Sequence, residues 1–566
     1  MCIRDRDTKN IIAAISLSAA VIILYGLFFA PSTQNSKKIN NDKNIISQNS
    51  EAPKLEIEEN IIELSRDDAL NRTERVEFEN ENIKGSISLV GGIIDDLIFK
   101  KYTETLDGKE KVVFLNPKSL NNGFFVETGW VTNNKNINLP NSKTLWKLEN
   151  QTKLAPNNPI KLLWTNDKDI IFEKKISIDD QYLFTVEQTI TNKSDNTYNF
   201  YPYGQIIRNK APEVTGFYIL HEGLIGVFDD QLVEEDYKDI RKKNSSFNSQ
   251  NGWLGITDKY FAATVIPDVN KEFRSDFDFK ERFRASFIYN KPTEIRANET
   301  KTDKIKVVIP AKEVDVIDGY AETENINKFD LVIDFGWFYF IVKPLFFAIQ
   351  YFFEISGNFG IAIILITVCI RLAFFPLANM SFRSMAKMKV LQPEMTRLKE
   401  LHKEDKMKLQ QAMMALYKKE KVNPLSGCLP ILLQIPFFFA IYKMLYISIE
   451  MRHQPFYGWI KDLSDRDPTT IFNLFGLIPW DPPSFLMIGA LPCLMGITMY
   501  LQQKLNPTPP DPIQAKIFMF FPLFLTIILA PFASGLVLYW TANNILTMAQ
   551  QVVIMRRTTV RTVQKN

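Results

Sequence analysis

"GIAIILITVCIRLAFFPLANMSFRSMAKM", residues 360–388, decides how the chain is read. From Gly360 to Ile370 it carries no charge. Arg371 follows, and an apolar run then resumes to Pro376 and Met380. Two readings compete. In one, an apolar helix ends early, near Pro376, which leaves a short first run. In the other, a spanning helix over 358–380 carries a permanent cation inside it. At about 1.5 Å rise per residue, Arg371 would then lie roughly 14 Å from the polar end of the span. Snorkelling is strained at that depth, and a central charge costs about 2.5–3.5 kcal/mol on insertion scales. The residue is therefore expected to face a wet cavity or polar partners, not lipid.

Further runs of spanning length occur at 428–447, 485–503, 517–531 and 534–555, the last two joined by a tight turn at Pro531-Phe532-Ala533. An uncharged run at 11–30 follows Arg4, Arg6 and Lys9. It is longer than a usual signal-peptide core, and Ala30-Pro31 is a poor cleavage context, so a retained signal anchor is favoured over a cleaved signal. The segment 381–425 is rich in Lys and Arg, and the tail carries Arg556, Arg557, Arg561 and Lys565 with no acid. The positive-inside rule places both in the cytoplasm. Six spans then close the alternation with both termini inside.

The middle of the chain is different. "GSISLVGGIIDDLIFKKY" and "KKISIDDQYLFTVEQTITNKSDNTYNFYPYGQI" alternate in polarity and are punctuated by Gly, Asp and Asn turns. Many short strands predict an all-β sandwich. The expected fold class is therefore α+β: a polytopic α-helical membrane bundle of six transmembrane helices plus an all-β domain. The expected divisions are an anchor (1–30), a polar linker (31–75), the β domain (76–325) and an interfacial amphipathic helix (326–356). An alternative for that last segment is a buried helix at the base of the β domain. A membrane core (357–555), with a helical hairpin at 381–425, and a basic tail (556–566) complete the chain.

Composition narrows the function. The 566 residues carry a net charge of +3, which suggests no nucleic-acid partner. Four cysteines, none between Ala30 and Phe335, give no disulfide framework in the β region. There is no Cys/His metal spacing and no phosphate-binding loop motif, so neither a metal nor a cofactor is expected.

In the hairpin, Met385, Met388, Leu391, Met395 and Leu398 recur at helical spacing, as do Leu409, Met413 and Leu416. Two antiparallel helices sharing a narrow seam are predicted, with a kink at Pro393. The methionines either fill that seam or offer an adaptable apolar surface. Around Arg371, the candidate polar neighbours are Thr367, Gln434, Asn543, Asn544, Gln502 and Gln503; any of them could equally join helices. No carboxylate occurs in these five spans, so the cation lacks an internal counter-ion.

"RLAFFPL", "SMAKMKVLQPEM", "MMALYKKEKVNPLSGCLPILLQIPFFFAIYKML" and "SGLVLYW" closely resemble the YidC membrane protein insertase family, over about 334–555. "GWLGITDKYFAATVIP" (252–267) is similar to the periplasmic domain of its Gram-negative members. The resemblance implies a periplasmic β-supersandwich, akin to galactose-mutarotase folds, and a hydrophilic groove open to the cytoplasm. It implies groove roles for Arg371, Thr367 and Gln434, and a substrate slide at Phe438, Met495 and Tyr539. Trp540 stands where a tyrosine is common. Client capture by the hairpin is implied, through Met385, Met388, Met395, Lys399 and Lys403. The implied partners are nascent membrane proteins, the Sec translocon, the ribosome or targeting factors, and the inner-membrane bilayer. Met1–Arg6 reads as an extension beyond the family's usual start. Two other classes compete with this reading. A mutarotase-like enzyme or sugar-binding protein would want a histidine-containing acid/base pair, and His221 is the sole histidine in the β region. A small-solute transporter would often show inverted repeats, and none is visible.

Overall fold

The computed structural model describes residues 64–563, apart from 150–151, 213–219, 270, 404, 421, 423–428, 481, 484–485 and 507–511. The expected anchor at 11–30 and most of the linker lie outside the described residues. The chain divides between Trp337 and Phe338 into two units.

Alternation builds the first unit. Ile170–Ile178 buries every second residue, and Leu183–Asn192 returns with the same period. The two pair antiparallel, with Phe184 opposite Ile178. Asp179 makes the turn: its Oδ1 accepts from the N–H groups of Gln181 and Leu183, both at 2.9 Å, the local bond that favours Asp in turns. Among the described residues the strands form an eleven-stranded and a nine-stranded sheet. Their inner faces meet through aromatic rings. Phe78 approaches Phe184 at 5.1 Å between centroids, Trp130 approaches Phe172 at 5.3 Å, and Phe228 approaches Phe247 at 4.8 Å. This is an all-β sandwich, as the alternation predicts.

Two lysines are buried in this unit. Lys174 Nζ reaches from the nine-stranded sheet to the Thr128 carbonyl of the other, at 2.6 Å, and lies 5.1 Å from the Trp146 ring centre. Burial pushes its ammonium down to about 8, with Glu127 pulling the other way. Lys312 donates to the Asp258 carbonyl at 2.6 Å, and burial likewise brings it down to about 8.

Helices α1 (Arg66–Asn71), α2 (Tyr237–Ile240) and α3 (Val314–Thr323) accompany the sheets. Tyr320 of α3 donates to Asp179 Oδ2 at 2.6 Å and accepts from the Tyr182 N–H at 2.8 Å, which fixes α3 to the hairpin turn. The helix expected over 326–356 is shorter than that. Its first part belongs to the β unit, where Ile326, Phe329, Val332, Ile333 and Phe335 are buried. Trp253 donates to the Asn327 carbonyl at 3.1 Å, and Asp334 accepts from the His221 N–H at 2.9 Å. Side-chain docking at Trp253 and Asp334 outcompetes continuous helix over this stretch.

The second unit is helical. α4 (Tyr339–Ser356) ends at Gly357, whose φ of +66° is readily open only to glycine. Asn358 caps α5 (Phe359–Ala373) by accepting from the Ile361 N–H at 3.1 Å. α6 (Phe375–Val390) then starts at a bend of 69°. The continuous span over 358–380 is thus replaced by a broken one. Pro376 has no N–H to give to the preceding turn, so the helix restarts around it. Pro393 likewise opens a new helix, α7 (Gln392–Leu401), rather than kinking a continuous one. α8 (Lys406–Lys419) returns, capped by Asp405.

α9 (Leu429–Ile447), α10 (Ala490–Leu505), α11 (Pro512–Leu529) and α12 (Ser534–Val563) complete the unit. α10 starts later than the predicted 485 because 467–469 caps it. Asp467 Oδ2 accepts from the Leu491 N–H at 2.8 Å, and Thr469 Oγ1 accepts from the Ala490 N–H at 2.9 Å. α12 runs on through most of the segment expected as a tail. Among the described residues no single helix is long and apolar enough to cross a membrane; the bent pair α5 and α6 passes that test together.

Candidate functional site

Arg371 occupies the last turn of α5. Its Nε donates to Asn543 Oδ1 of α12 at 2.8 Å, and its Nη2 also donates to that oxygen. Nη2 further donates to Gln434 Oε1 of α9 at 3.1 Å. Asn543 is buried, whereas Arg371 and Gln434 are half-buried. The three line a cavity with Tyr539, walled by Ile370, Phe374, Leu377 and Phe437. Apolar walls around convergent polar groups are usual for a binding site.

Helix geometry explains the convergence. Successive residues on a helix point about 100° apart. Asn543 therefore faces Arg371, while Asn544 turns to α10 and donates to Thr498 Oγ1 at 3.1 Å. The sequence offered both asparagines as neighbours, but nothing in it separated the ligand of the arginine from the interhelical tie. The coarser signal is present: an Asn-Asn pair in an apolar helix presents amides to two faces, without marking which face meets the arginine. Charge is the second feature. α5, α9, α10, α11 and α12 contain no Asp or Glu. Two neutral amides accept from Nε and Nη2, and among the described residues no carboxylate pairs with the guanidinium.

The remaining expected residues are distributed differently. Thr367 is buried, and its hydroxyl donates to the Ile363 carbonyl of its own helix at 2.6 Å. It does not line the cavity with Arg371. Phe438 packs edge-on against Trp540 at 4.7 Å and lies parallel to Tyr442 at 6.5 Å. Tyr539, one residue earlier, points into the cavity wall. Met495 is fully buried on α10.

In the hairpin, the methionines do not form one surface. Met385 packs with Ala378, Phe382 and Ile554 of α12. Met395 is buried on α7, and Tyr417 of α8 reaches its sulfur at 4.0 Å. Met388 and Lys399 are half-buried, and Lys403 is exposed in the turn between α7 and α8. The break at Leu391 rotates the two halves of the seam apart, so Met385 leaves it.

The family described as the 60Kd inner membrane protein matches residues 351–561, and the YidC periplasmic domain family matches residues 75–348. The Membrane protein insertase YidC of Pelagibacter ubique (strain HTCC1062) is 61% identical over 98% of this chain and 100% of that protein. The same-named protein of Brucella suis biovar 1 is 48% identical over 87% of this chain and 82% of its own length. A crystal structure of an active YidC insertase with its first transmembrane domain resolved aligns at a TM-score of 0.36 and 16% identity. It covers 84% of this chain and 92% of that one. By identity across nearly its full length and by both domain matches, the chain belongs to the YidC family of membrane protein insertases.

Proposed function

We propose that the chain inserts nascent membrane proteins into the bacterial inner membrane through the cavity around Arg371. The observation that carries this reading is a guanidinium held by Asn543 and Gln434 in helices without a carboxylate. Carrying a polar tail across hydrocarbon is costly because its backbone cannot be hydrated there. A wet half-channel shortens the dry path, and a cation at its depth attracts an acidic tail. The client's apolar segment then leaves sideways into lipid, which supplies the driving force. The membrane potential adds to the outward pull on an anionic tail. None of these steps calls for a nucleotide or a metal.

The reading includes the topology: six spans, counting 11–30, with both termini in the cytoplasm and the β unit in the periplasm. The basic segments 381–425 and 556–566 support that orientation. The Sec translocon, and the ribosome or targeting factors, are proposed as partners, with insertion occurring alone or together with the translocon. Phe438, Trp540, Tyr539 and Met495 are proposed to offer the apolar track. Thr367, one turn before Arg371 with its hydroxyl on the Ile363 carbonyl, is proposed to border the groove on the same helix. The hairpin residues Met388, Lys399 and Lys403 are proposed to meet clients first; Met385 and Met395 shape that surface from beneath. His221 fits a structural role better than a sugar-anomerising one: Nε2 lies 3.0 Å from the Leu224 carbonyl and Nδ1 3.3 Å from Asp236.

Site-directed crosslinking of a stalled nascent chain tests the proposal. A photoreactive residue at 438 or 539 is expected to capture the client's apolar segment. Capture of clients only at positions remote from the cavity would overturn it.

A further inference from the structure

The loop between α9 and α10 contains "IFNLFGLIPW", residues 471–480, and no charged residue occurs anywhere in 468–480. Its apolar side chains point outward. Leu477 is 83% exposed, Leu474 54% and Phe475 51%; Phe472, Ile478 and Trp480 are also exposed. Its polar groups turn inward. The Phe475 N–H donates to the Thr470 carbonyl at 2.8 Å, Ile478 N–H to the Asn473 carbonyl at 3.0 Å, and Ile471 N–H to the Ile488 carbonyl at 3.0 Å. Thr470 Oγ1 donates to the Leu486 carbonyl at 2.8 Å.

Leu474 and Phe475 both hold left-handed backbone, with φ of +50° and +58°. A β-carbon disfavours that conformation, and it persists where the surroundings fix it. Here it turns two large apolar side chains outward from one tight bend. The stem is rigid. Asp467 is buried, accepts from Leu491 at the head of α10 at 2.8 Å, and accepts from Trp459 Nε1 at 3.3 Å.

An apolar tip with most of its backbone N–H groups bonded within the loop region matches what hydrocarbon demands and water penalises. A protein-binding patch would carry a polar rim with donors and acceptors facing out. Trp480 closes the segment and Trp459 bonds to Asp467 at its stem; both are exposed, and such amphipathic rings favour headgroup depth. We propose that 471–480 is a lipid-inserted wedge, seated at the headgroup–acyl boundary of the outer leaflet. It would fix the depth at which α10 begins. The inference rests on the proposed topology, which puts this loop outside.

The test uses the full chain in vesicles of phosphatidylethanolamine and phosphatidylglycerol. In a background with the native cysteines replaced, an environment-sensitive fluorophore is attached at Leu477→Cys or, as control, at the exposed Lys461→Cys. Iodide in the water and spin labels on lipid headgroups or acyl chains serve as quenchers. The expected result is blue-shifted emission at 477, several-fold weaker iodide quenching than at 461, and strong quenching by shallow lipid labels. Strong iodide quenching at 477 overturns the wedge. So does shielding from both iodide and lipid, which assigns the loop to a protein partner or a second copy. Client insertion is measured on the same vesicles. A lipid-buried 477 without insertion activity leaves the wedge standing and counts against the proposed function instead.

Discussion

Replacing Asn543 by Asp tests whether the charge of Arg371, rather than its polarity, draws the client. The substitution is nearly isosteric and keeps the acceptor oxygen that Arg371 Nε and Nη2 already use. It adds the counter-ion that the helices lack. A carboxylate about 4 Å from the guanidinium centre interacts by about 4 kcal/mol at an effective dielectric near 20. Arg371 is only half-buried, so solvent screening halves that to about 2 kcal/mol as a working figure. A client carboxylate loses the same amount of attraction, about thirtyfold in occupancy. The assay is the initial rate at which two single-span clients insert into vesicles holding the full chain. One client has a short acidic tail, and the other has the same tail with Asn and Gln in place of the acids. Asn543→Asp is expected to slow the acidic client by up to about thirtyfold and to change the neutral one little. Asn543→Leu keeps the free charge and is expected to preserve the preference for the acidic client. The variant gains an ion pair and is expected to keep its fold, which thermal stability in detergent checks. Equal slowing of both clients would refute the electrostatic reasoning and leave hydration of the cavity as the arginine's role.

Three further outcomes follow from the structure. Arg371→Lys is expected to retain more insertion of the acidic client than Arg371→Ala, because charge survives although the fork to Asn543 and Gln434 is lost; equal loss in both would make the fork the essential feature. Lys174 and Lys312 are each held near 8, below the ordinary 10.5. The unfolded chain therefore binds more protons between those values, and stability of the β unit rises as pH climbs from about 8 towards 10.5. A shift of this size corresponds to about 3 kcal/mol per lysine, present as a cost below about 8. Lys174→Met is expected to halve the pH slope of urea unfolding followed by tryptophan fluorescence; an unchanged slope would refute the assignment. Gly252 has φ of +150°, and a β-carbon there would sit 1.8 Å from the Val227 carbonyl oxygen. Gly252→Ala is expected to destabilise the β unit by about 3 kcal/mol, read as accelerated proteolysis of the full chain; an unaltered cleavage rate would show that the strand pair can shift.

The β sandwich was legible because strand periodicity is local. Residues 170–192 show it: alternating burial on both strands and an Asp at the turn are all written within one short stretch. The helical unit was legible in composition and less so in geometry. An apolar run announces a helix, but whether it stays straight depends on a competition that length does not reveal. At Phe374 the missing N–H of Pro376 wins; at Leu391 that of Pro393 does. Docking of 326–335 through Trp253 and Asp334 is a long-range effect, and no window of sequence contains both partners. The site divides in the same way. Arg371 stood out as a charge in an apolar run. Asn543 and Gln434 stood in the sequence as polar exceptions, and only three-dimensional packing separates them from Asn544 and Thr367, which tie helices or their own turns.

The break after Ala373 bears directly on why a cation is tolerable there. In an unbroken helix to Met380, Arg371 would sit mid-helix, where the peptide dipoles ahead and behind cancel locally. With the helix ending at Ala373, it sits in the last turn. The carbonyls of that turn carry the partial negative charge of the helix end, worth about 0.3–1 kcal/mol for a nearby cation. The amides of Asn543 and Gln434 satisfy guanidinium donors that would otherwise be buried at a cost. Neither contribution amounts to a full counter-charge. A buried carboxylate would hold the arginine more tightly, and would also cancel the field that an acidic client could feel. The helix end and the two amides thus lower the desolvation cost while keeping the net charge. On this argument the proline that interrupts the apolar run is part of the site. Restoring a straight helix with Pro376→Leu is expected to weaken insertion of acidic-tailed clients even though no group contacting the arginine is altered; full activity with a straightened α5–α6, seen by spin-label distances across the break, would remove the bend from the mechanism.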